Sequence, residues 1–208
     1  MTIKTITPMK HAAHLWSFLI LLCSFNLSGQ SLFVGGNGLY SGFNYGVNGN
    51  GESIQGQSQI WISPTVGFEF PAGEKLHAGM KADYIVLSEG LELFDGYYFD
   101  YSFGRLNTYL RFLIIDLLDV RIGMPIAYAI ESRQFNNYGE LDLISEGNVP
   151  SLLFGASVEL GYSVPLGEKF ELQIHTGYSQ FLNSLDTDLD QRLTPYSYVF
   201  NAQLHYRL

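Results

Sequence analysis

Polar and apolar residues alternate along most of this chain. The last twelve residues, SYVFNAQLHYRL, put Phe200, Ala202, Leu204, Tyr206 and Leu208 on one face and Asn201, Gln203, His205 and Arg207 on the other. A period of two is the mark of a strand with two different environments. Past residue 30, no stretch of twelve residues keeps a helical period. The same alternation predicts eight strands: about 31–44, 59–70, 76–86, 97–113, 120–130, 152–164, 170–178 and 196–208. Three connections are short, around 71–75, 114–119 and 165–169. Four are long and polar, about 45–58, 88–96, 132–149 and 183–195. Short and long alternate strictly, as in a meander whose ends face two compartments.

The apolar faces carry no charge. They include Ile60, Ile62, Val66, Phe68 and Phe70 in the second strand and Val120, Ile122, Met124, Ile126, Tyr128 and Ile130 in the fifth. The opposite faces carry Glu69, Asp83, Glu131, Glu159 and Glu171 against Lys81, Arg105, Arg111, Arg121 and Arg207, interleaved with Gly67, Gly79, Gly123, Gly155, Gly161 and Gly177. A basic side chain facing mid-bilayer costs about 2–4 kcal/mol, so a lipid-facing surface excludes charge. An eight-stranded barrel encloses a space that side chains just fill. Charges inside it must pair, and five acids matched to five bases meet that need. The expected fold is therefore all-β: an eight-stranded antiparallel up-and-down transmembrane barrel, polar inside and apolar outside. A soluble barrel would sort its side chains the other way.

Several details follow. If the turns PAGEK and PLGEK close symmetrical hairpins, Glu69 faces His77, Gly67 faces Gly79, and Glu159 faces His175. Glu171 and Arg207 lie near the same end of adjacent strands. Pro64 and Pro125 each remove a ladder donor, and bulges are expected there. In the fourth strand, Phe99, Tyr101 and Phe103 are odd-numbered while Leu106, Leu110 and Phe112 are even, so a bulge at Gly104 is expected to flip the face. LRFLIIDLL also fits a short helix, but Asp116 and Asp119 suit a turn better. Tyr84, Tyr128, Tyr178, Tyr196 and Tyr198 gather at the long-loop ends and Tyr206 at the other, as aromatic girdles do.

Composition sharpens the picture. Charged residues are 15% of the chain, aromatics 15%, and there are 22 glycines. Soluble domains average roughly 25% charged. The N-terminus is distinct: Lys4 and Lys10, then the apolar run Leu15–Phe25, then NLSGQS. That is the order of a cleavable secretory signal, and the run falls short of the ~20 residues of a membrane helix. Two domains are expected: a signal at 1–30, removed near Ser28–Gln30, and the barrel at 31–208. Cys23, the only cysteine, leaves with the signal, so the mature chain has no disulfide or thiolate. Leu22 stands where a lipoprotein signal has a small residue. Without Lys4 and Lys10 the net charge becomes −11, which argues against nucleic acid as a partner.

With these features the chain resembles the small outer-membrane β-barrels of Gram-negative bacteria, PorT-like and OmpA/OmpX-like. The carriers are the signal, the eight amphipathic strands, the alternating loop lengths and the terminal strand. The resemblance implies outer-membrane lipid as surroundings, the barrel-insertion machinery as an assembly partner, a monomeric state and loops facing the exterior. It also admits an envelope protein partner. In such families the last strand is a recognition signal ending in an aromatic; here Leu208 stands last and Tyr206 lies one step inward.

Candidate chemistry is sparse. There is no HExxH, P-loop or GxSxG, and GGNGLYSG follows no βαβ pattern. No catalytic, cofactor or metal residues are assigned. His77, His175 and His205 are expected to point inward and bond carboxylates. Asp186–Gln191, DTDLDQ, offers three carboxylates at alternate positions but lacks the glycine and glutamate of a calcium loop. The long loops hold Glu52, Glu89, Glu92, Asp95, Glu140, Asp142, Glu146, Asp186, Asp188 and Asp190 against Arg133 and Arg192, a rim of −8. The function expected is a structural or interaction protein of the anchor or adhesion-like type. Alternatives are a subunit of an export or motility assembly, a lipid-modifying enzyme and a small channel.

Overall fold

The computed structural model describes residues 29–47, 59–91, 97–136, 139–142, 152–183, 185–187 and 191–208. The strands are β1 (Ser31–Val47), β2 (Gln59–Pro71), β3 (Leu76–Leu91), β4 (Tyr97–Ile115), β5 (Leu118–Asn136), β6 (Gly139–Asp142), β7 (Leu152–Pro165), β8 (Phe170–Phe181), β9 (Leu185–Thr187) and β10 (Gln191–Arg207). Eight of them are staves of an antiparallel barrel in the order β1-β2-β3-β4-β5-β7-β8-β10, and β10 closes on β1 from Ser31↔Arg207 to Val47↔Gln191. The short β6 and β9 extend hairpins with β5 and β10 at the long-loop end. The expected signal segment lies outside the described residues, apart from Gly29 and Gln30.

The sorting is inside-out. Ile62 and Ile60 are 84% and 76% exposed, whereas Arg121 and Lys81 are each 1% exposed. Phe200, Leu204 and Ile174 face outward, and Glu159 is buried. Burial alternates without a break from Leu152 to Ser163 in β7. Only a surround of lipid makes such an exterior favourable, because exposed apolar area costs about 25 cal/mol per Å² in water.

Both PxGEK turns are tight and alike. The Ala72 N–H donates to the Leu76 carbonyl at 2.8 Å, and the Leu166 N–H to the Phe170 carbonyl at 2.8 Å. Each register is two residues away from the symmetrical closure expected. Glu69 pairs with Gly79, Gly67 with Lys81 and Glu159 with Gly177. A slip of two keeps every side chain on its face and changes only its partner.

Three local expectations are corrected. Neither Pro64 nor Pro125 carries a bulge. Gly36↔Pro64 and Asn107↔Pro125 sit in unbroken register, and the β5–β7 ladder skips from Gly123↔Ser157 to Ile126↔Phe154 without a shift. A missing donor costs a ladder bond but not the register. The bulge near Gly104 belongs instead to β5, where Ile130 is the extra residue between Ser102↔Glu131 and Phe103↔Ala129. β4 therefore keeps its phase, and Tyr101 and Phe103 are fully buried inside the barrel. The side chain of Phe99 lies outside the described set. LRFLIIDLL forms no helix: β4 runs to Ile115 and a turn at Asp116–Leu117 leads into β5.

Aromatic rings band both ends. Tyr40, Tyr178, Tyr196 and Tyr198 cluster with centroids 5.3–6.2 Å apart, and Phe170 and Tyr206 meet at 5.3 Å at the short-turn end.

Candidate functional site: the barrel lumen and its mouth

The inward-facing side chains form layers. Toward the long-loop end the lumen is mainly apolar, filled by Leu39, Ile85, Tyr101, Phe103, Leu153 and Val199, each at most 3% exposed, with the buried hydroxyls of Ser41, Ser179 and Ser197 beside them. Alternation alone predicts a lumen that is polar throughout. The difference lies in odd-numbered apolar residues such as Leu153 and Val199, which share their strand's inward face with Glu159 and Arg207 farther down.

Below this layer lie two closed ion pairs. Arg105 grips Asp83 with both arms, Nε to Oδ1 at 2.8 Å and Nη2 to Oδ2 at 2.6 Å, and Asn37 donates to the same carboxylate. Lys81 Nζ lies 2.6 Å from Glu159 Oε1, and Asn201 donates to Glu159 Oε2 at 2.8 Å. Bidentate geometry and a second donor on each carboxylate offset the desolvation that a buried pair costs.

The next layer centres on Arg111. Its Nη1 donates to Glu69 Oε1 at 2.8 Å and its Nη2 to Ser163 Oγ at 2.6 Å. Its Nε lies 3.0 Å from Asp119 Oδ2, and Glu171 Oε1 is 3.3 Å from Nη2. Arg121 stacks over the Tyr109 ring at 4.6 Å and donates to Gln203 and Gln173. His175 Nε2 meets Asp119 Oδ1 at 3.0 Å.

Three assignments of charge change. Asp119, read as a turn residue, is fully buried in this layer. Glu131, read as luminal, is half exposed and pairs with Arg133, because the Ile130 bulge turns β5 over beyond it. His175 meets Asp119 and not Glu159, as the two-residue slip requires. The balance of charge survives: five buried acids face Lys81, Arg105, Arg111 and Arg121, with Arg207 at the rim on Glu171.

Glycines make the crowding possible. A Cβ on Gly161 would stand 2.1 Å from the His175 ring, and one on Gly79 2.4 Å from the Tyr109 ring. Those two rings occupy the space a methyl would take.

At the short-turn end the lumen opens as a cup of about 390 Å³, bordered by Ser31, Glu69, Arg111, Glu171, His205 and Arg207. His77, expected inside, stands at its edge with Nδ1 3.4 Å from Glu69 Oε1. His205 stacks on Phe33 at 4.5 Å, and its Nδ1 lies 3.2 Å from Ser31 Oγ. The pairing of Ser31 with His205 across the β1–β10 seam was missed in the sequence, because it requires knowing that the first strand meets the last.

The acidic loop cluster falls largely outside the described residues. By backbone register Asp142 opposes Arg133 and Asp186 opposes Arg192. Among the described residues, no group of His, Cys, Asp or Glu could hold a metal.

The architecture has solved counterparts. Neisserial surface protein A matches 87% of this chain and 98% of its own, with a TM-score of 0.50 and 10% identity. The fold is that of a small outer-membrane β-barrel. Ail, the attachment invasion locus protein of Yersinia pestis, matches 85% of this chain and 99% of its own at 8% identity and a TM-score of 0.45. OprG of Pseudomonas aeruginosa matches 88% and 98%, at 11% identity and a TM-score of 0.43. No family model and no curated protein matches the sequence.

Proposed function

We propose that this chain is an integral outer-membrane protein that anchors its long loops at the cell exterior, as a structural or interaction protein of adhesion-like type. The observation that carries the reading is an apolar exterior around an occupied lumen. The apolar layer from Leu39 to Val199 blocks the path that a channel needs. A rigid base with long connections at one end suits display, since loops on a fixed scaffold are where binding resides. The acidic loops set the chemistry of the exposed surface, and they favour cationic partners over anionic ones. The barrel is a monomer in lipid, delivered by the insertion machinery.

Crosslinking in intact envelopes followed by pulldown tests the role. Recovery of the barrel alone, or with a surface ligand, supports an anchor. A stoichiometric envelope protein would make it a subunit of an export or motility assembly, as the PorT-like resemblance allows.

A further inference from the structure

Ser31 and His205 come from the first and last strands and meet at the open cup, with Oγ and Nδ1 3.2 Å apart. Their neighbours set the direction of their hydrogen bond. Arginine only donates, and Arg121 Nη1 points at Gln203 Oε1 from 2.9 Å. The amide oxygen is thereby fixed on that side, and it also faces His205 Nε2 at 3.4 Å. An acceptor at Nε2 selects the Nε2–H tautomer and leaves the lone pair on Nδ1. Ser31 therefore donates its hydroxyl hydrogen to the ring. Phe33, stacked on the imidazole, holds the ring plane.

The result is a nucleophile, a base and an orienting acceptor in sequence, the arrangement that activates a serine. Among the described residues, some other luminal serines are engaged differently. Ser41 pairs with Ser197, and Ser163 accepts from Arg111.

We propose that Ser31 is a nucleophile activated by His205 and that the cup hydrolyses small polar carboxylic esters. Ser31 Oγ adds to the acyl carbon while its proton passes to His205 Nδ1. The carbon–oxygen bond to the leaving alcohol then breaks, and the alkoxide takes the proton from Nδ1. Water adds to the acyl-serine with the same base, releasing the acid and restoring the hydroxyl. Gln203 is a positioning residue. Arg111 and Arg207 also border the cup, where they hold the carboxylates of Glu69 and Glu171. The volume suits a small ligand, and the charged wall favours a polar ester over a long acyl chain.

The test uses the folded chain in detergent micelles, with heat-dependent gel mobility confirming the fold of each variant. A fluorophosphonate probe is expected to label Ser31 in the wild type, as located by mass spectrometry. Ser31→Ala should take no label, His205→Gln should label about 100-fold more slowly, and Ser41→Ala should match the wild type. Hydrolysis of para-nitrophenyl acetate should follow the same order. If His205→Gln does not fold, His205→Phe, which keeps a ring against Phe33, replaces it. Folded wild-type protein labelled no faster than Ser31→Ala overturns the proposal. So does a folded His205 variant that keeps the wild-type rate.

Discussion

Lys81 and Glu159 show what a buried charge requires in this barrel. Both are almost inaccessible, and they meet at 2.6 Å. Removing one partner leaves the other charged and buried, at about 3–5 kcal/mol. Lys81→Met should lower unfolding stability in lipid vesicles by that amount, and Lys81→Met/Glu159→Gln should recover much of it because no charge is left unpaired. Urea titration of refolded vesicles measures both. Glycines make a second residue-scale case. Gly161→Ala drives a methyl into the His175 ring and should cost about 1–3 kcal/mol. Gly38→Ala, whose nearest neighbour lies at 3.6 Å, should be near neutral. The presence of buried pairs could be read from charge on the inner faces, but not their membership. Glu131 leaves the lumen because one extra residue, Ile130, reverses β5 beyond it, and Asp119 enters it because β5 begins at Leu118 and puts Asp119 in phase with Arg121.

At the level of elements, the outward face of β10 carries Tyr198, Phe200, Leu204 and Tyr206, all more than a third exposed. Phe200→Arg should destabilise the inserted barrel by about 2–4 kcal/mol, while Lys75→Ala in an exposed turn should stay within about 0.5 kcal/mol. The top of β7 is held by a side chain that imitates a strand. Asn183 Oδ1 accepts from the Phe154 N–H at 2.9 Å, and its Nδ2 donates to the Leu152 carbonyl at 2.8 Å. In Asn183→Ala the Phe154 amide should lose protection from hydrogen exchange, with a stability loss of about 0.5–1.5 kcal/mol. Strand positions were legible because a period of two persists over ten or more residues. Register was not, because a turn such as PAGEK can close at 71/75 or 72/76 with the same faces exposed. Nor was the apolar upper lumen, since Tyr101 and Phe103 suit lipid and interior equally well by composition.

For the whole molecule, closure of β10 on β1 removes both sheet edges and joins the first strand to the last, which brings Ser31 to His205. The barrel should migrate faster on gels unheated than boiled and should resist carbonate extraction. In planar bilayers it should pass no steady current, because the layer containing Leu39, Phe103 and Leu153 closes the path above the ion pairs. The inside-out arrangement is tested most directly by photolabelling the reconstituted wild-type protein with a lipid-soluble diazirine and mapping the adducts by mass spectrometry. Adducts on Ile62, Ile122, Ile126, Phe200 and Leu204, with none on Leu39, Phe103 or Leu153, are the expected result. Adducts confined to Leu39, Phe103 and Leu153, with the even-numbered residues of β10 unmarked, would contradict it.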